Sequence, residues 1–87
     1  MNHPHPLPNP AEIRWQCRRG MLELDILLLS FLEKSYETLL EEEQRVFVEL
    51  LSFQDQELFE WLMDRSQPDS PVLQAMIKKI REGKWEE

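Results

Sequence analysis

The groups able to do chemistry in this 87-residue chain are concentrated in one stretch. Arg18-Arg19-Gly20-Met21-Leu22-Glu23-Leu24-Asp25 sets two guanidinium groups before a glycine and two carboxylates after it. A guanidinium is a planar fork of donors matched to carboxylates, and charge-assisted hydrogen bonds are the strong ones. A glycine at that point can take the left-handed backbone angle that ends a helix. Trp15 stands just upstream of the arginines, and Trp with Arg are the residue types most enriched in binding hot spots. The chemistry such a set can do is recognition of a partner.

Groups for bond-making are missing. Nucleophilic catalysis needs a base beside the nucleophile. The two histidines, His3 and His5, stand among prolines at the start of the chain, remote from the single cysteine, Cys17. Cys17 follows Ile13 at helical spacing and reads as a small core residue. No set of Cys and His has the spacing of a zinc site, so no metal is expected. No glycine-rich loop is present to cradle a phosphate. Carboxylate pairs are frequent, as they must be in an acidic helical chain, and none is singled out as acid and base. A chain of this length also leaves little room for an enclosed active site. No enzyme is expected.

Composition narrows the class further. Hydrophobic residues make up 41% and charged residues 31%, with only two glycines. Leu, Glu and Met abound and β-branched residues are few, which favours helix. The net charge of −7 argues against nucleic acid as a partner. The charge is uneven. Residues 23–69 hold thirteen acids against three bases, whereas residues 1–20 hold Arg14, Arg18 and Arg19 against Glu12 alone. One cysteine allows no internal disulfide and fits a reducing compartment. No apolar run approaches the length needed to span a bilayer, and no signal or transit peptide is evident, so a cytoplasmic location is expected.

The elements that must position the Arg-Gly stretch follow from periodicity. Prolines 4, 6 and 8 exclude helix at the start, and residues 1–9 are expected to form a flexible tail. Asn9-Pro10-Ala11-Glu12 reads as cap, first helical position and capping-box carboxylate, opening a helix over 10–19 that Gly20 ends. Leu24, Leu27, Leu28, Phe31 and Leu32 form an apolar stripe on a second helix over 21–35, widened by Ile26 and Leu29. Glu23 and Asp25 sit near its start, where negative charge suits the helix dipole. Thr38 with Glu41 predicts a capping box for a third helix over 39–52, with Leu39, Phe47, Leu50 and Leu51 inward. Asp55 is the expected cap of a fourth over 56–65, with Leu58, Phe59, Leu62 and Met63 as its stripe and Trp61 at one edge. Ser70 and Pro71 open a fifth over 71–82, lined by Leu73, Met76, Ile77 and Ile80 and closed by Gly83. Residues 84–87, with Trp85, are expected to fray. The sum is an all-α, compact five-helix bundle in a single domain over 10–83.

Within that bundle the bend at Gly20 admits two arrangements. Arg19 and Glu23 pair with each other across it, and Gly20 is only a cap. Alternatively, Trp15, Arg18, Arg19, Gly20, Glu23 and Asp25 form a surface for another molecule. Trp15 falls about 200° around the first helix from the Ile13/Cys17 face and is expected to be partly exposed.

The pattern Trp15-x-Cys17-Arg18-Arg19-Gly20-Met21-x-Glu23-Leu24-Asp25 resembles the SdhE/YgfY family, the succinate dehydrogenase flavinylation factors. Tyr36, Phe47, Leu50-Leu51 and Asp55-x-x-Leu58-Phe59-x-Trp61-Leu62-Met63 continue the likeness, which spans residues 11–82. Three features depart from it. The proline-rich tail lies outside the pattern, Leu40 occupies the place of a helix-capping serine, and Ser66-Gln67-Pro68 replaces a glycine-containing turn. The resemblance implies a bacterial FAD assembly factor. Such a protein binds the flavoprotein subunit of succinate dehydrogenase, and that of fumarate reductase, and promotes covalent attachment of FAD to a histidine of that subunit. It implies a partner-binding surface at Arg19, Gly20 and Glu23, with Arg18, Trp15 and Asp25 as neighbours. FAD is then the client's cofactor, with none held stably by this chain. Two other classes of function are open: a carrier that binds flavin and delivers it, and an antitoxin-like regulatory partner of another protein.

Overall fold

The computed structural model describes residues 7–83. Among these residues there are five α-helices and no strand: α1 (Pro10–Gln16), α2 (Leu22–Lys34), α3 (Glu41–Leu50), α4 (Asp55–Leu62) and α5 (Pro71–Gly83). One 3-10 turn, Tyr36–Thr38, lies between α2 and α3. The predicted flexible tail up to residue 6, with its two histidines, and the predicted frayed end at 84–87, with Trp85, lie outside the described residues.

The helices begin where side chains replace the backbone acceptors that a first turn lacks. The Asn9 side chain accepts from the Glu12 N–H at 2.9 Å and opens α1. Ser70 Oγ accepts from the Leu73 N–H at 3.3 Å and opens α5, with Pro71 at its first position. Two predicted caps are moved. Thr38 does not cap α3; it lies in the 3-10 turn and its hydroxyl donates to Ser35 O at 2.6 Å. Leu40 is the N-cap residue, and the Glu43 carboxylate accepts from the Leu40 N–H at 3.1 Å. Asp55 is the first residue of α4 rather than its cap. Gln54 holds that position and Glu57 accepts its N–H at 3.3 Å. In both helices the carboxylate three residues on does the work, whatever side chain precedes it.

α2 is the centre of the bundle and packs on α4 and α5, while α3 packs on α5. Its predicted stripe, Leu24, Leu27, Leu28, Phe31 and Leu32, is buried throughout. Complete burial of one such leucine is worth about 1.5–3 kcal/mol. Phe47 of α3 has no exposed surface and lies 5.3 Å from the Phe31 ring and 5.6 Å from the Tyr36 ring. Ile13 and Cys17 dock α1 onto the same core, and both are buried as predicted. Phe59 is turned off the predicted stripe: it is half-buried, and the Arg65 guanidinium sits 5.5 Å from its ring centre. Ile26, predicted to widen the buried stripe, is 53% exposed. The Cα radius of gyration, 12.3 Å, is that of one domain of this length, about 12 Å.

Candidate functional site

The corner between α1 and α2 is built by two charged side chains facing inward. α1 stops at Gln16 with Cys17 as its cap, three residues short of the predicted end. Gly20 is therefore not the helix stop. It forms a separate corner with φ of +85°, the left-handed angle expected of it. The Asp25 carboxylate turns back from α2 and accepts the Arg19 N–H at 2.7 Å and the Gly20 N–H at 3.1 Å. Those two donors precede α2 and have no partner in its own ladder. Asp25 thus acts as an extended cap, and negative charge also suits this end of the helix.

Arg19 runs the other way, across the molecule. Its Nε donates to Gln16 O at 2.8 Å. Nη1 donates to Phe53 O at 3.2 Å and to Asp55 Oδ1 at 2.8 Å, and Nη2 donates to Leu51 O. Leu51 caps the C-terminus of α3 and Asp55 opens α4. The guanidinium therefore lies at the negative end of one helix dipole, and its carboxylate partner lies at the positive end of the next. The side chain is only 14% exposed. The predicted local pairing of Arg19 with Glu23 is not made; Asp55, 36 residues on, takes that place. No periodicity or spacing rule reports a partner that distant.

The remaining residues of the motif face outward. Trp15 is 71% exposed, as its position around α1 predicts. Arg18 and Glu23 are exposed, and among the described residues neither side chain has a hydrogen bond or ion pair. A Cβ built on Gly20 meets nothing within 4 Å, so the glycine opens onto free space. The structure thus divides the six predicted residues into two sets. Arg19 and Asp25 fix the corner, and Trp15, Arg18, Gly20 and Glu23 lie on its surface.

Two apolar surface residues beside this motif went unpredicted. Leu22 is 75% exposed and Ile26 more than half, and they lie one turn apart on the face of α2 opposite the core. Their i, i+4 spacing was visible in the sequence, hidden by a helix that is apolar nearly all round. Such a helix is normally covered on both faces.

Cys17 lies under the corner. Burial pushes its thiol up from 9.0 to about 12, against the opposing pull of the positive charges on Arg19 and Arg14. A thiol so protonated is a poor nucleophile. Among the described residues no three His, Cys, Asp or Glu side chains are grouped to hold a metal ion, and no helix is long and apolar enough to cross a membrane. A groove of about 650 Å³ runs between α4 and α5 away from Gly20, with Trp61, Met63, Gln74 and Lys78 among its walls.

The profile of a family described as flavinator of succinate dehydrogenase matches residues 11–84. The chain belongs to that family. It is 47% identical over 73 residues to the FAD assembly factor SdhE of Haemophilus ducreyi, covering 84% of this chain and 89% of that one. It is 43% identical over 75 residues to the FAD assembly factor SdhE of Yersinia pseudotuberculosis, covering 86% and 85%. The protein of that name from Pectobacterium atrosepticum is 44% identical over 75 residues. The family resemblance read from the Arg-Gly motif is therefore confirmed, and the flavinator family match covers α1 to α5.

Proposed function

We propose that this chain is a cytoplasmic, non-catalytic assembly factor that docks on the flavoprotein subunit of succinate dehydrogenase, and on the related fumarate reductase subunit, and so promotes covalent attachment of FAD. The observation that carries this reading is the corner itself. In a member of the flavinator family, an open glycine is flanked by an exposed Trp and by two charged groups without partners, Arg18 and Glu23. Gly20 lets the client's backbone approach closely. Arg18 and Glu23 supply charge-assisted hydrogen bonds to it, and Trp15 supplies contact area. Arg19 and Asp25 belong to the site by holding that surface in shape.

Linkage of FAD to a histidine is chemistry that the flavin itself supplies once the two are aligned. The helper's task is to bind the aligned conformation of the client better than the others, which shifts the client's population towards it. The buried, protonated Cys17 is in keeping with a helper that contributes no reacting atom. FAD stays with the client throughout.

Incubating the apo-flavoprotein subunit and FAD with the wild-type chain, or with Gly20→Arg, tests the assignment. Covalent flavin is read as in-gel fluorescence. Wild type accelerates its appearance and Gly20→Arg does not; equal flavinylation by the two proteins rules the corner out. A parallel titration of FAD into the isolated chain separates helper from carrier, since a carrier binds flavin in the micromolar range without any client.

A further inference from the structure

Glu23 does not stand on a flat surface. With Ile26, Leu27 and Ser30 it follows the i, i+3, i+4, i+7 spacing of one face of α2. That face, closed by Met63 at the end of α4, lines a slot of about 250 Å³. The floor is apolar, Ser30 adds a hydroxyl, and the Glu23 carboxylate is the one charged group of the lining. Among the described residues this carboxylate has no partner, whereas Asp25, two residues on, uses both oxygens on backbone donors.

We propose that this slot receives a lysine or arginine side chain of the flavoprotein subunit. The methylene stem lies along Ile26, Leu27 and Met63, and the cationic head pairs with Glu23. The inference rests on the docking corner proposed above and names what that corner grips. Three chemical arguments select the occupant. An anion is repelled by Glu23. A purely apolar side chain takes water from the carboxylate and returns no hydrogen bond, an uncompensated loss. A long basic side chain satisfies both parts, since it buries its stem on apolar surface and keeps its charge at the mouth. The acidic body of the chain, thirteen acids against three bases over residues 23–69, favours a basic face on the partner during approach.

Affinity of the full chain for the apo-flavoprotein subunit, measured by fluorescence anisotropy at low and high ionic strength, tests this. Glu23→Gln keeps the shape and removes the charge; its side chain is exposed and unpaired, so the helices are expected to form with only the small loss of a first-turn charge. It is expected to bind about tenfold more weakly at low salt and to show a smaller salt dependence than the wild type, the remainder coming from the rest of the acidic body. Ser30→Phe fills the slot while leaving Glu23 in place, and is expected to weaken binding by a similar factor. The helical circular dichroism of both variants is checked first. If wild type binds and both variants bind equally well, the slot is not used, and the docking corner stands without it. If only Ser30→Phe weakens binding, an apolar side chain enters the slot and the proposal falls. If only Glu23→Gln does, Glu23 acts outside the slot and the proposal falls as well. If wild type does not bind the subunit, the slot proposal and the docking reading fail together.

Discussion

Two turns of this molecule share a backbone angle and differ in everything around it. The corner at Gly20 has φ of +85°, and the end of α4 has a residue at φ +63° that is an aspartate, Asp64. At Asp64 the chain makes a Schellman ending: the Arg65 N–H donates to Glu60 O at 2.8 Å and the Asp64 N–H to Trp61 O at 3.2 Å. Asp64 Oδ2 stands 3.4 Å from Arg81, so its side chain has a place in the fold. At Gly20 a Cβ would meet nothing within 4 Å. A left-handed angle alone is therefore within reach of a short polar residue in this chain. What sets Gly20 apart is a residue with no side chain, open at its Cβ position, between the exposed and unpaired Arg18 and Glu23 in the sequence.

Removing the support of the corner gives the largest expected effect. Arg19→Ala leaves the Asp55 carboxylate and the carbonyls of Leu51 and Phe53 without their donor, and is expected to cost about 2 kcal/mol of stability. Urea unfolding measures it; a loss below a few tenths of a kcal/mol would show that the corner stands without this side chain. Next comes Gly20→Asn, which tolerates the left-handed angle. It is expected to lose about 0.5–1 kcal/mol of stability. Flavinylation of the client should nevertheless fall about tenfold, equivalent to about 1.4 kcal/mol of docking energy. Full activity in this variant would mean that Gly20 serves the fold alone.

Cys17 reports on the same corner from beneath. With its thiol held up to about 12 in the folded chain and at 9.0 when unfolded, the unfolded form ionises first. The stabilisation from this group is thus complete below pH 9 and is lost as pH rises towards 12. Alkylation near pH 8 should be slow, follow unfolding, and accelerate in Arg19→Ala; fast labelling of the native wild type would mean that the corner opens locally. The smallest effect is expected at the other turn. Asp64→Gly relieves the left-handed angle, loses an exposed ion pair and loosens the unfolded chain, leaving stability within about 0.5 kcal/mol of wild type. Flavinylation should be unchanged. If Asp64→Gly impairs it as Gly20→Asn does, the contrast between the two turns disappears.

Local signals in the sequence carried most of the architecture. The stripes Leu24–Leu32 and Leu73–Ile80 repeat with the helical period, and Asn9-Pro10 and Ser70-Pro71 mark starts that side-chain caps then made. Signals failed where one residue type can play two parts. Thr38 and Asp55 both look like caps, but Glu43 and Glu57 accept the N–H groups that decide where α3 and α4 begin. The Arg-Gly motif could be recognised, and the exposure of Trp15 followed from the 3.6-residue turn. The partner of Arg19 could not be read, because Asp55 is adjacent only after α2 and α3 have folded between them. The opposite face of α2, with Leu22 and Ile26, was lost in a run where nearly every residue is apolar.

The reach of Arg19 has a consequence for quality control. Its bonds close a loop of 36 residues, and its acceptors exist only once α3 has ended and α4 has begun. A seven-residue helix such as α1 is too short to persist alone, so before that loop closes the corner has only the local cap that Asp25 gives it. A nascent, truncated or partly unfolded copy therefore lacks the long tie from Arg19 to Leu51, Phe53 and Asp55. Completion of the fold and completion of the bonds around Arg19 are thus one event.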